Sequence, residues 1–268
     1  MKINIDFLQQ TYFTFDLPVD YQLKNGTAIK IYPVSLLDSV NFLLSINVLT
    51  IDKNSSDNID IIQMTYLQFL REKILLEELN ISRFSILLSL CLHINQFKFA
   101  LDGKNHILLV DINNPNVCIN AKDFDEIKRI ICYQNMLHYD DTYIPPDLKK
   151  AMAEVDELKS KGHVNPTLER QMAIITSHCG ISKQDQMNMT LRSHSALFEE
   201  VCGEVEYLGL KAIATYGGKG DMVEWIRPKA KSKYDGYFTS DEEYSKSMGG
   251  NGQIKMTNTN INSANYFN

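Results

Sequence analysis

The chain has 268 residues, 44% of them hydrophobic and 22% charged, so it is long enough to bury a core without a metal or disulfides. Its net charge of -6, from 33 acidic and 27 basic residues with no long basic stripe, argues against nucleic acid as a principal partner. Five cysteines at wide, irregular spacings (Cys91, Cys118, Cys132, Cys179 and Cys202) do not make a disulfide framework, and no apolar run reaches the ~18 residues of a membrane span, so a cytoplasmic chain without a membrane partner is expected.

In chain order, Asn4 to Pro33 reads as strands and turns, with Asn25-Gly26 set between two strand candidates as a hairpin turn. Ser35 stands before Leu36, Leu37, Val40, Leu43, Leu44 and Leu49, which predicts an N-cap and a helix to about Leu49. After the polar run Asp52–Asn58, three-to-four spacing of Ile62, Tyr66, Phe69, Lys73 and Leu76, in which Lys73 only dilutes the apolar face, predicts a helix from Asp60 to Leu79, and Ser82 caps another to His93. Alternation of Phe97, Phe99 and Leu101, a turn at Asp102-Gly103, and Ile107 to Val110 give a second hairpin. A short strand at Val117 to Ile119 and a helix from Asp123 to about His138 follow.

Pro145-Pro146 interrupts regular structure, and from there to Tyr216 no strand-like alternation remains. Helices are predicted from Asp147 to Lys161, from Asn165-Pro166 to Gly180, and after a cap at Ser182 and Asp185. Beyond Gly217 the composition turns polar and rich in Gly, Ser and Asn, which cannot bury enough apolar surface to offset chain entropy. The expected fold class is an α+β N-terminal domain (1–144) carrying β-hairpins, then an all-α region (145–216) and a flexible polar tail (217–268).

The most informative stretch is the helix from Thr190 to Tyr216. There Leu191, His194, Phe198, Val201, Val205, Leu208 and Ala212 recur three and four residues apart and form one apolar seam, flanked by Glu199, Glu200, Glu204 and Glu206. Such a seam either packs inside a bundle or is offered to another protein. Other groupings carry less. His138-Tyr-Asp-Asp141 collects an imidazole and carboxylates at a helix end, where solvation is the ordinary role, and His178-Cys179 are neighbours that project about 100° apart on a helix. Gly217-Gly-Lys-Gly220 lacks the spacing and the hydroxyl residue of a phosphate loop, and Arg227, Lys229, Lys231 and Lys233 read as solvated charges. With no hydrolase, metalloprotease or dinucleotide motif, the expectation is a protein that is not an enzyme and uses no cofactor or metal.

Tyr32-Pro-Val-Ser-Leu-Leu-Asp38, Leu49-Thr-Ile-Asp-Lys-Asn54 and Ile61-Ile-Gln-Met-Thr-Tyr-Leu-Gln-Phe69 together resemble small tail-morphogenesis proteins of bacteriophages and prophages of low-GC Gram-positive hosts. Gly180-Ile-Ser-Lys-Gln-Asp-Gln-Met-Asn-Met-Thr190, with Phe198-Glu-Glu-Val-Cys-Gly-Glu-Val-Glu206, is similar to the helical end of tail assembly chaperones, which hold the tape measure protein while the tail tube grows. The resemblance implies a non-catalytic protein of the host cytoplasm whose partners are the tape measure protein or the tail tube protein, with room for a homo-oligomer. It also implies short and long forms made by translational frameshifting, which a joint at Gly217 to Gly220 would suit. The chain departs from that family in its length and in the 97–112 hairpin, which leaves a structural place in the tail tip, baseplate or neck of the virion as the alternative.

Overall fold

The computed structural model describes residues 3–161 and 165–217, so the polar tail, the basic stretch from Arg227 and all but the first residue of the Gly217–Gly220 joint lie outside the described residues. The described chain is α+β: a strand-containing N-terminal region with small antiparallel sheets, then helices. Its contacts divide it into two units, Met1–Asp141 with Gly180–Leu197, and Thr142–Cys179 with the chain from Phe198 onward. The segment Gly180–Leu197, read from sequence as part of the helical region, therefore belongs with the first unit.

The first unit opens with a helix, α1 (Ile5–Thr11), where the sequence predicts extended chain. The Asn4 side chain accepts from the Phe7 amide and Asp6 sits in the first turn, a local capping chemistry that outweighs strand propensity over so short a span. The hairpin then forms from β1 (Val19–Gln22) and β2 (Ala28–Ile31), in register from Val19 opposite Ile31 to Gln22 opposite Ala28. Its turn is longer than the two residues expected: the Asn25 carboxamide accepts from the Thr27 amide, and Gly26 takes a φ of 89°.

Ser35 accepts from the Asp38 amide as predicted, but it starts a 3₁₀ turn (Leu36–Asp38) that leads into α2 (Ser39–Thr50). The predicted helix from Asp60 to Leu79 is broken into α3 (Ile59–Gln63), α4 (Tyr66–Phe69) and a π turn (Leu70–Ile74). Met64 is extended, and Thr65 caps the restart by accepting from the Gln68 amide. The Tyr66 hydroxyl donates to the carbonyls of Val48 and Ile51, anchoring α4 to the end of α2. Apolar spacing runs unbroken across this interruption, so periodicity alone does not reveal it. The next helix, α5 (Glu78–Leu92), starts a turn earlier than the Ser82 cap implies, and packs Phe84, Leu87, Leu88 and Cys91 inward beside Phe42, Ile46 and Leu49 of α2.

The second sheet is an antiparallel meander of β3 (Phe97–Leu101), β4 (Ile107–Asp111) and β5 (Cys118–Asn120), in that order. Asn120 caps α6 (Ala121–Asn135) by accepting from the amides of Lys122 and Asp123, and α6 buries Phe124, Ile127, Ile130 and Ile131. Buried Asp123 ties this helix to the first hairpin, accepting from the Tyr21 hydroxyl, the Lys24 amide and the Asn120 carboxamide. Burial, reinforced by that carboxylate, pushes the Tyr21 phenol well above its ordinary pKa.

In the second unit, α7 (Pro146–Ser160) begins with proline in its first turn, and Asp147 lies in that turn instead of capping it. The next helix, α8 (Leu168–Cys179), starts from a Thr167 cap rather than at Pro166, because the Thr167 hydroxyl accepts from the Arg170 amide. Gly180, at φ 71°, ends it. Returning to the first unit, α9 (Lys183–Met187) is capped by Ser182, and α10 (Leu191–Thr215) runs from there into the second unit.

Candidate protein-binding surface

The start of α10 is fixed within the first unit by several independent bonds. Thr190 accepts from the Ser193 amide, the Leu191 amide donates to the Val34 carbonyl at 2.9 Å, and the Leu36 amide donates to the Met189 carbonyl at 2.8 Å. Asp16, held at a left-handed φ of 57°, accepts from the Thr190 hydroxyl at 2.5 Å and the Ser193 hydroxyl at 2.7 Å. A carboxylate at a helix N-terminus meets the positive end of the helix dipole. Arg192 donates to the Tyr133 carbonyl at 2.8 Å, and its guanidinium lies 5.9 Å from the centre of the Phe13 ring.

The seam that sequence spacing defines on α10 has two different halves. Leu191 and His194, which belong to the first unit, are buried, and Phe198 and Val201, which belong to the second, are 2% and 3% exposed. Those four positions are enclosed within this chain, the packed alternative for the seam. Val205 and Leu208, on the same helix face, are 56% and 50% exposed, and Ala212, Ile213 and Tyr216 are exposed too. Past Val201 the half-buried positions are Cys202, Gly203, Glu204, Tyr207 and Leu210; at 100° per residue Tyr207 and Leu210 fall well away from the seam, while Glu204 falls at its edge, about 60° from Val201. There His178 of α8 pairs with Glu204 through Nε2 and Oε2 at 2.8 Å. From Val205 onward the apolar side of the helix is exposed, with Glu200 and Glu206 exposed as well.

His194 is completely buried, and neither ring nitrogen has a hydrogen-bond partner among the described residues. Burial lowers its pKa to about 4, so the ring is neutral at physiological pH. A second exposed apolar row runs from Leu37 of the 3₁₀ turn to Val40 and Leu44 of α2, and α2 itself carries no charged residue. Neither the exposure of the α10 seam beyond Val201 nor the Asp16 clasp is predicted by sequence spacing. The His178–Glu204 pair couples residues 26 apart in sequence, and a polar pair leaves no trace in an apolar period.

Groups with chemical potential are engaged structurally. Asp141 accepts from Arg129 Nε at 2.5 Å and from the Tyr133 hydroxyl at 2.7 Å; partial burial raises its pKa, but these bonds prevail and hold the carboxyl below its ordinary value. Cys91 and Cys132 are fully buried, and burial drives both thiols up, Cys132 to about 12, which disfavours the reactive thiolate. His178 is directed to Glu204 of α10, while Cys179 is exposed. Among the described residues no group of three or more His, Cys, Asp and Glu is placed to hold a metal ion, and no helix is long and apolar enough to cross a membrane. Comparison of the chain with protein-family models, curated proteins and solved structures returned no match.

Proposed function

We propose that this chain is a non-catalytic protein that holds other proteins during assembly, of the phage tail assembly chaperone kind, acting in the host cytoplasm on the tape measure or tail tube protein. The single observation that carries the reading is the uncovered apolar side of α10 from Val205 to Ala212, continuous with a buried seam and bordered by carboxylates. An amphipathic client helix laid on that side removes apolar surface from water on both partners, and basic residues on the client would meet Glu200 and Glu206. The sequence blocks 32–69 and 180–206 that resemble tail-morphogenesis proteins supply the identity of the client.

Co-expression of the tagged chain with a tape measure protein and a tail tube protein tests this directly. The expected result is a complex with the long helical tape measure protein that Val205→Asp combined with Leu208→Asp abolishes while leaving the circular dichroism spectrum unchanged. Recovery of the chain alone as a monodisperse species, or its presence in mature particles, would overturn the chaperone reading and favour a structural place in the virion tail.

A further inference from the structure

The first unit carries a second surface built for a different kind of ligand. In the antiparallel β3–β4 pair, main-chain bonds alternate between successive residue pairs. The Asp102 amide donates to the His106 carbonyl and the Ile112 amide donates to the Gln96 carbonyl, which fixes the phase: Lys98 and Ala100 bond to β4. The N–H and C=O groups of Phe97, Phe99 and Leu101 are therefore directed to the outer edge, and among the described residues no strand lies beyond β3. An edge of this sort is a ready template for another strand unless it is blunted.

Along that edge runs a groove of about 470 Å³, floored by Leu75, Phe97 and Phe99 and walled by Ile81 and Ile112, both of which are exposed. Among the described residues its charged lining residues are Arg71 and Lys98, and no carboxylate lines it, although the chain as a whole is acidic. An open hydrogen-bonding edge, apolar walls and a cationic rim are what an extended acidic peptide requires. We infer that the β3 edge binds an extended segment of a partner protein, added antiparallel or parallel as a fourth strand, with apolar side chains at alternate positions and carboxylates meeting Arg71 and Lys98. The groove is formed by the first unit alone, and its test is independent of the α10 experiment.

The probe is a fluorescein-labelled peptide that alternates valine and threonine and ends in glutamates, titrated with the full chain and followed by anisotropy, with a lysine-ended peptide as control. The glutamate-ended peptide should bind more tightly than its control by about tenfold or more at low salt, and Arg71→Glu with Lys98→Glu should reverse that preference, since both side chains are exposed and their exchange leaves the core intact. In the unsubstituted protein, saturation with the peptide should slow hydrogen exchange at the amides of Phe97, Phe99 and Leu101, while Lys98 and Ala100, already bonded to β4, change little. Equal affinity for the two peptides, no binding by either, or protection that spares those three amides would overturn the inference.

Discussion

A neutral imidazole enclosed without a partner makes His194 a source of acid sensitivity. Its folded pKa of about 4 lies below the ~6.5 of an unfolded histidine, so between those values the unfolded chain takes up a proton that the folded chain does not. Stability from this group is complete above about pH 6.5 and declines as pH falls toward about 4, by at most ~3 kcal/mol at ~1.4 kcal/mol per unit. Urea midpoints at pH 7 and pH 4.5 should show His194→Leu losing part of the wild-type decline; identical declines in the two proteins would contradict the assignment. Asp16→Asn keeps the shape but removes the charge at the α10 N-terminus, and a loss of ~1–2 kcal/mol in the same measurement is expected. Periodicity located His194 on the seam, yet its lack of a partner depends on tertiary surroundings. Asp16 meets Thr190 across 174 residues, a separation at which no local pattern operates.

Among elements, α10 separates two kinds of apolar residue that sequence spacing treats alike. Phe198→Asp should unfold the protein, because it places an unpaired carboxylate where the ring is now enclosed, whereas Val205→Asp should shift stability by no more than ~0.5 kcal/mol. Thermal melts of both variants decide this, and equal destabilisation would show that Val205 is core after all. Both hairpins were legible because turn chemistry is local: Asn25-Gly26 and Asp102-Gly103 act through their own side chains and backbone. The interruption between α3 and α5 was not, since Ile62, Tyr66, Phe69 and Leu76 keep helical spacing through it. What breaks the helix is the Thr65 cap and the hold that Tyr66 has on the end of α2, and the second of these exists only after folding.

At the scale of the whole molecule, the α+β character followed from the order of hairpins and helices, but the assignment of Gly180–Leu197 did not. That segment closes the first unit by pairing Met189 and Leu191 with Leu36 and Val34, contacts that no compositional change announces. A fragment of residues 1–144, the domain expected from sequence, lacks those partners and leaves Asp16 without Thr190 and Ser193. It should unfold at a lower urea concentration than the intact chain, and an equal midpoint would show the returning segment to be dispensable. The discontinuity also has a consequence in time. Translation proceeds from the N-terminus at ~5–20 residues per second, so the first 141 residues are made seconds before Gly180–Leu197 follows. Throughout that interval the nascent first unit lacks the segment that bonds Val34, Leu36 and Asp16, and the pace of synthesis becomes a determinant of how much of the protein aggregates before it is complete.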